Sequence, residues 1–258
     1  MAIRLIVTDL DDTLLRRDKT ISSYTAQVFA RCRAKGILVA FATARGGRSI
    51  KHYIECIAPD VLVTSGGALA RRGDEVLYQC FLPRQRTDEL IKLCMAEPSV
   101  GYISADTQQG LLVDRAYDHS DPFWSAWTHA KPTDFTQGLG CEAQKLAVEF
   151  DDETAAARVA TQFQDVATLK WTGSNWHQFA HKNATKWHAI EAVAEQLVIA
   201  TDEIVAFGDD ANDLDMLRFA GTGVAMENAI ESAKTAANEI CGSCDDDGVA
   251  HWLEKNIL

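Results

Sequence analysis

Two aspartates, Asp9 and Asp11, directly follow a short apolar run near the start of the chain. Residues 3–7 have the composition of a buried strand, so both acids belong to the loop at its carboxyl end. Residues two apart in an extended segment point the same way, which predicts that both carboxylates face the same side. Two adjacent carboxylates repel unless a cation lies between them or one carries a proton. A solvated acidic turn is the alternative for this segment taken alone.

Further polar side chains follow later apolar runs or begin a later helix. They are Thr43, Lys186, Asp209, Asn212 and Asp213. If the runs are strands of one parallel sheet, their carboxyl ends lie at the same edge, and the side chains converge there with the first two acids. Carboxylates, an ammonium, a hydroxyl and an amide together are suited to bind a Mg²⁺ ion and a phosphoryl group.

The elements that position these residues alternate between strand and helix at both ends of the chain. Residues 3–64 and 184–252 have this rhythm, which is typical of a parallel sheet covered by helices on both faces. Residues 82–180 differ, with two predicted helices, 87–95 and 152–164, among short strands. We therefore predict an α/β protein: a Rossmann-like doubly wound parallel sheet core from residues 1–81 and 181–258, and an inserted α+β domain from residues 82–180.

Composition limits the partners and the compartment. The 258 residues carry a net charge of −12 without a basic block, which argues against a nucleic-acid groove or an anionic membrane surface. No apolar run has the length of a membrane span, and the first residues enter a strand without a charged and apolar leader. We expect a cytoplasmic protein that meets neither nucleic acid nor membrane. The oligomeric state is open.

The seven cysteines are scattered and odd in number, which favours free thiols over a disulfide framework. Cys241 and Cys244 have the spacing of a redox or zinc-binding pair. No second Cys or His pair accompanies them in the sequence, so a structural role is the favoured interpretation.

The polar residues form four motifs in a recognisable order. They are Asp9-Leu10-Asp11-Asp12-Thr13-Leu14, Thr43-Ala44-Arg45, Lys186, and Gly208-Asp209-Asp210-Ala211-Asn212-Asp213. The chain resembles the haloacid dehalogenase superfamily, in its Cof-like sugar phosphatase branch (class IIB, with a C2-type cap). The similarity continues through residues 224–229 and 245–250, and the insertion resembles the cap. It therefore covers essentially the whole chain.

The resemblance implies a role for each motif residue. Asp9 would be the nucleophile that forms an aspartyl-phosphate, and Asp11 the general acid and base, which requires a raised pKa of Asp11. Mg²⁺ would be held by Asp9, by the backbone carbonyl of Asp11 and by Asp209. Asp213 would support the metal ligands. Phosphoryl oxygens would be held by Thr43, Lys186 and Asn212.

Some positions depart from the family pattern or have two interpretations. Asp12 stands where the family commonly has glycine. For Arg45 an ion pair that holds its loop is favoured over contact with substrate. The aromatic residues of the insertion are predicted to be core side chains, with a sugar-stacking platform as the alternative. They include Phe123, Trp124, Trp127, Trp171 and Trp176.

Three functions are compatible with this resemblance. The favoured one is a Mg²⁺-dependent phosphatase of small phosphorylated metabolites such as sugar phosphates. A sugar-phosphate phosphomutase shares the first half-reaction, but no extra basic cluster for gripping two substrate orientations is evident in the sequence. The third is a catalytically silent phosphate-ligand-binding protein, against which the intact acidic residues argue. The motifs bind only the metal and the phosphoryl group, so the substrate does not follow from them.

Overall fold

The computed structural model describes residues 2–116 and 129–258. Phe123, Trp124 and Trp127, which we predicted to belong to a core, lie outside the described residues. The chain divides into two compact units, Met1–Gln79 with Thr185–Leu258, and Cys80–Ala184.

The described residues contain strands β1 to β14 and helices α1 to α8. The strands are β1 Leu5–Thr8, β2 Leu38–Ala42, β3 Val61–Thr64, β4 Leu69–Arg72, β5 Glu75–Gln79, β6 Val100–Thr107, β7 Gly110–Val113, β8 Lys131–Pro132, β9 Lys145–Phe150, β10 Val166–Lys170, β11 Trp176–His181, β12 Ile204–Gly208, β13 Thr222–Ala225 and β14 Glu239–Ile240. The helices are α1 Ser23–Ala34, α2 Lys51–Ile57, α3 Arg84–Ala96, α4 Glu153–Gln162, α5 Lys186–Gln196, α6 Leu214–Phe219, α7 Glu231–Ala236 and α8 Gly248–Asn256.

The first unit is built on one sheet, whose strand order is β14-β13-β12-β1-β2-β3-β4-β5. The six strands from β14 to β3 are parallel. In β1, Ile6 packs into the apolar cluster on one face, and Leu5 and Val7 into the cluster on the other. Burial on both faces explains why these strands are continuous apolar runs.

The hairpin of β4 and β5 was not predicted from the sequence. Strand β4 pairs antiparallel with β3, and β5 pairs antiparallel with β4, so the hairpin extends the sheet beyond β3. Glu75, Val76 and Gln79 are exposed, so β5 lacks the continuous apolar run by which the buried parallel strands were recognised.

The second unit is an antiparallel sheet with helices packed on it. Its strand order is β10-β11-β9-β6-β7-β8, and all pairs except β7 with β8 are antiparallel. Apolar side chains of α3 and α4 pack on one face of this sheet, around Phe150 and Phe179. Trp176 is buried and stacks on Trp171, with ring centroids 5.7 Å apart. The unit is therefore of the α+β type.

The predicted fold class, an α/β parallel sheet core with an inserted α+β domain, is confirmed by this architecture. All seven cysteines are free thiols. Among the described residues, no helix combines the length and the apolar character that crossing a membrane requires.

Candidate active site

The site begins where β1 ends, at Asp9. Its backbone N–H donates to the carbonyl of Phe207 at 3.0 Å, which keeps the end of β1 in register with β12. The side chain is only 6% exposed, and its Oδ1 accepts a hydrogen bond from Lys186 Nζ at 2.8 Å. A buried carboxylate at the carboxyl end of a central parallel strand is thus held by a buried ammonium.

Lys186 joins three side chains of the predicted site. It is the first residue of α5 and is 1% exposed. Besides Asp9, its Nζ contacts Asp213 Oδ1 at 2.5 Å and Asn212 Oδ1 at 3.4 Å. One ammonium placed between two buried carboxylates keeps its positive charge, and the pKa of Lys186 is accordingly raised, although burial by itself would lower it.

Two glycines make this close packing possible. A Cβ on Gly67, which has φ of +103°, would lie 2.1 Å from the carbonyl oxygen of Thr185, the residue before Lys186. A Cβ on Gly208, at the end of β12, would lie 2.5 Å from the Cβ of Asp213. Any side chain at either position would displace backbone or a buried carboxylate, so the glycines are required where these segments meet.

Three carboxylates form a cluster that could hold a metal ion. One oxygen each of Asp9, Asp209 and Asp213 lie within 4.8 Å of one another. Asp213 Oδ2 accepts hydrogen bonds from the backbone N–H groups of Asp209 and Asp210, at 3.0 and 3.1 Å. Thr13 donates its hydroxyl to Asp209 Oδ1 at 2.6 Å. Thr13, in the loop after β1, and Asp213, in the loop after β12, therefore both hold Asp209 in position.

The charges of this cluster are unbalanced without a cation. Burial, and then the negative charges of Asp213 and Asp209, hold the pKa of Asp9 well above its usual range, although Lys186 opposes them. Burial and the charge of Asp213 raise the pKa of Asp209 to about 7. Asp9 and Asp209 therefore hold protons more readily than isolated carboxylates do, and a hard divalent cation with oxygen ligands would replace those protons. The donor set fits Mg²⁺.

Two cationic side chains hold Asp11. Its carboxylate receives two hydrogen bonds from the guanidinium of Arg45, both at 2.6 Å, and lies 3.1 Å from Lys19 Nζ. Asp9 and Asp11 both have extended backbone angles, and the chain turns directly after them at Asp12, whose φ is +55°. The common direction predicted for the two carboxylates stays a prediction.

The pKa of Asp11 was expected to be raised, and the structure shows the opposite. Burial works to raise it, but the hydrogen bonds and charges of Arg45, together with Lys19, outweigh burial and lower the pKa. Arg45 also lies over the Tyr53 ring, 5.6 Å from its centroid. Arg45 thus forms the ion pair that we favoured for it.

Thr43 follows β2, the neighbour of β1. It is buried, and its backbone N–H donates to the carbonyl of Val63 in β3 at 2.9 Å. Its hydroxyl accepts a hydrogen bond from the backbone N–H of Arg45 at 3.1 Å. This contact holds the turn after β2 and leaves the hydroxyl hydrogen for another acceptor.

Three side chains of this region escaped the sequence analysis. Thr13 and Asn228 stand in motifs that were recognised, yet only the folded chain shows that they donate to Asp209 and to the backbone carbonyl of Asp12. Lys19 follows the first motif and pairs with Asp11 because the chain turns back at residues 16–20. The recognised motifs that contain Thr13 and Asn228 were the sequence signal that could have identified these two residues.

Cys241 and Cys244 do not have the surroundings of a reactive pair. The thiol of Cys241 contacts Met226 Sδ at 3.4 Å, and burial raises its pKa to about 12. Cys244 is buried. Low thiolate content is unfavourable for redox chemistry, and the metal-ligand cluster found among the described residues contains neither cysteine.

Comparison with known protein families assigns the whole chain. A family model described as haloacid dehalogenase-like hydrolase matches residues 6–253. The chain belongs to this family. The resemblance to the haloacid dehalogenase superfamily and the predicted enzyme class, a hydrolase of this type, are therefore confirmed.

Individual relatives of this hydrolase are phosphatases by name. It is 28% identical to the 5-amino-6-(5-phospho-D-ribitylamino)uracil phosphatase YitU of Bacillus subtilis, over 97% of this chain and 96% of that protein. It is 27% identical to the pyridoxal phosphate phosphatase YbhA of Escherichia coli, over the full length of both. The structure of the subclass IIB sugar phosphatase BT4131 superimposes with a TM-score of 0.87 at 23% identity, covering 99% of this chain and 100% of that one. This last similarity supports the fold.

Proposed function

We propose that this hydrolase is a Mg²⁺-dependent phosphatase of small phosphorylated metabolites, and that it works through an aspartyl-phosphate on Asp9. The observation that carries the proposal is the buried arrangement of Asp9, Lys186 and Asp213 beside Asp209 at the carboxyl ends of β1 and β12. A buried carboxylate in contact with an ammonium and with further metal-binding oxygens is suited to attack phosphorus, since the approaching phosphate is itself an anion.

The proposed reaction has two displacements at phosphorus. In the first, an Asp9 oxygen bonds to phosphorus, the bond to the ester oxygen breaks, and Asp11 gives a proton to the departing alkoxide. In the second, Asp11 takes a proton from water, the water oxygen bonds to phosphorus, the bond between phosphorus and the Asp9 oxygen breaks, and inorganic phosphate leaves. Asp9 and Asp11 then return to their starting states.

Three further side chains would hold the phosphoryl oxygens. Lys186 supplies a fixed positive charge, Thr43 a hydroxyl hydrogen and Asn212 an amide. Lys186 and Asn212 are already adjacent, with Nζ and Oδ1 3.4 Å apart. Because the transition state of phosphoryl transfer is loose, positioning and charge stabilisation of this kind account for most of the catalysis.

Mg²⁺ would be held by Asp9, Asp209 and the backbone carbonyl of Asp11, with Asp213 supporting these ligands. When bound, it cancels charge between the nucleophile and the phosphate and keeps Asp9 ionised. Asp213 is suited to a supporting role because both of its oxygens already have protein partners, Lys186 on one and two backbone N–H groups on the other.

The pH dependence of Mg²⁺ binding follows from Asp209. Its raised pKa, about 7, means that Asp209 must lose a proton before the metal binds below that pH, and the raised pKa of Asp9 acts in the same direction. We expect Mg²⁺ affinity to rise about tenfold or more from pH 6 to pH 8, as measured by titration calorimetry in buffers of different ionisation enthalpy, with proton release on binding. Thr13→Val removes a hydrogen bond that lowers this pKa, so the transition should move to higher pH. Equal affinity at pH 6 and pH 8 would contradict this assignment.

Arg45 should control the ionisation of Asp11 during turnover. Arg45→Met removes the two hydrogen bonds that lower the pKa of Asp11, so this pKa rises and the general acid keeps its proton to higher pH. We expect the alkaline limb of the kcat/KM profile to move to higher pH, and kcat/KM at the pH optimum to fall about tenfold because the carboxylate is less well oriented. Arg48→Met, on an exposed residue of the next turn, is the control. An unchanged profile would refute this role for Arg45.

Substrate selection would fall to the second unit, Cys80–Ala184, acting as the cap. We propose sugar phosphates as the first substrate class, and the names of the curated relatives add pyridoxal phosphate and a phosphorylated ribitylaminouracil. Each is a small phosphate monoester, which suits cytoplasmic metabolism. Residues beyond the phosphoryl site must distinguish among them, because that site contacts only what they share.

The test is phosphate release from a panel of phosphorylated metabolites that contains these three classes, with p-nitrophenyl phosphate as a general substrate. Each assay is run with Mg²⁺ and with EDTA. Mg²⁺-dependent release supports the proposal, and the ranking of kcat/KM values identifies the substrate class. Formation of an isomeric sugar phosphate without phosphate release would instead indicate a mutase. Binding without either reaction would indicate a silent ligand-binding protein.

A further inference from the structure

The loop after β13 contacts both acidic loops of the candidate active site. The backbone N–H of Met226 donates to the carbonyl of Gly208 at 3.1 Å, and that of Ile230 to the carbonyl of Asp209 at 2.9 Å. The Asn228 side chain lies between these two attachments and donates to the carbonyl of Asp12 at 2.7 Å. Residues 226–230 therefore tie the loop after β12 to the loop after β1.

Asn228 has a second partner that fixes its orientation. Its Oδ1 accepts a hydrogen bond from the backbone N–H of Cys244 at 2.9 Å. Asp247 follows this N–H in the same turn. Its carboxylate accepts hydrogen bonds from Arg16 at 2.7 Å and from Thr25 at 3.0 Å, which hold the turn in place. With one side of the amide fixed by the turn, the other side is directed at Asp12.

The turn that Asn228 contacts is one that needs support. Asp12 has φ of +55°, a left-handed conformation that costs a residue with a Cβ about 1 kcal/mol or more. The adjacent residue, Asp11, supplies the carbonyl proposed to bind the metal, and Thr13 orients Asp209. A small change in this turn would therefore move two components of the metal site together.

We propose that Asn228 is a positioning residue for the metal site, which holds the Asp11–Thr13 turn through the carbonyl of Asp12. This inference rests on the proposed function for the identity of the metal, but the contact and its effect on the turn do not depend on it. Residues 226–230 thus support the two acidic loops, although they contribute no proposed catalytic group.

Two measurements on Asn228→Ala test the inference. Mg²⁺ affinity, from titration calorimetry, should fall about tenfold or more, as is common when a group that orients metal ligands is removed. Hydrogen exchange in residues 10–15 should be about tenfold faster, including the N–H of Leu15, which donates to Leu10. Asn238→Ala is the matched control, because Asn238 Oδ1 also accepts a backbone hydrogen bond, from the N–H of Gly223 in β13 at 2.7 Å.

A second variant keeps the test decisive if Asn228→Ala does not fold. Asn228→Asp retains an acceptor for the N–H of Cys244, loses the donor to Asp12 and adds a negative charge beside that carbonyl, so exchange in residues 10–15 should still be faster. Wild-type exchange in both variants, or an equal loss of Mg²⁺ affinity in Asn238→Ala, would overturn the inference. A wild-type protein that neither binds Mg²⁺ nor releases phosphate would refute the proposed function, and the exchange comparison would still decide whether Asn228 holds the turn.

Discussion

Asp9→Asn is expected to lower kcat by about 10⁴-fold while leaving the fold and the surroundings of residue 9 in place. An amide has nearly the shape of a carboxylate, and its oxygen can still accept the hydrogen bond that Lys186 Nζ now gives to Asp9 Oδ1 at 2.8 Å. It cannot supply the anionic oxygen that bonds to phosphorus. The variant keeps the shape of the site but also weakens residue 9 as a metal ligand, so turnover is compared at saturating Mg²⁺.

The measurement combines turnover with trapping of the intermediate. Wild-type protein quenched in acid during turnover should carry one covalent phosphoryl group on Asp9, detected by mass spectrometry of its peptides, and Asp9→Asn should carry none. Asp12→Asn is the matched control in the same loop, because the Asp12 carboxylate is 45% exposed and pairs only loosely with Lys19 at 3.7 Å. Turnover of Asp9→Asn at a tenth of the wild-type rate would exclude Asp9 as the nucleophile.

The placement of the candidate site followed from topology. Once β1, β2 and β12 were recognised as buried strands, parallel pairing put their carboxyl ends at one edge, and Asp9 and Asp209 had to approach each other. Signals within a short stretch of sequence, such as a residue that caps a helix, also predicted individual elements. The helix predicted at residues 152–164 is observed as α4, Glu153–Gln162, and Asp152 accepts the hydrogen bond that caps its start.

What escaped prediction depends on contacts between distant segments or on single backbone angles. One such angle is that of Asp12, whose left-handed backbone turns the chain directly after Asp11. Glycine is common at that position in the family because it adopts this angle without strain. The partners of Asp11 are Arg45 and Lys19, and neither pairing follows from spacing. The lowered pKa of Asp11 could therefore not be anticipated from its acidic neighbours alone.

Lys186→Met should separate catalysis from metal binding. The substitution removes the cation that lies between Asp9 and Asp213, so the phosphoryl group loses a fixed positive charge and kcat/KM should fall about 10²- to 10³-fold. Mg²⁺ affinity at pH 8 should instead increase, because the ammonium repels a cation placed among the same carboxylates. Lys51→Met, at the exposed start of α2, is the control for loss of a lysine.

Stability provides the third measurement on Lys186→Met. Without metal, the variant leaves two buried carboxylates without their shared partner, and we expect its free energy of unfolding in urea to fall by about 3 kcal/mol. Mg²⁺ should restore most of this loss by mass action, since it binds the folded site. Parallel losses of turnover, Mg²⁺ affinity and stability that Mg²⁺ does not restore would show that Lys186 only holds the fold. The expected opposite signs for turnover and Mg²⁺ affinity belong to a lysine that binds the phosphoryl group.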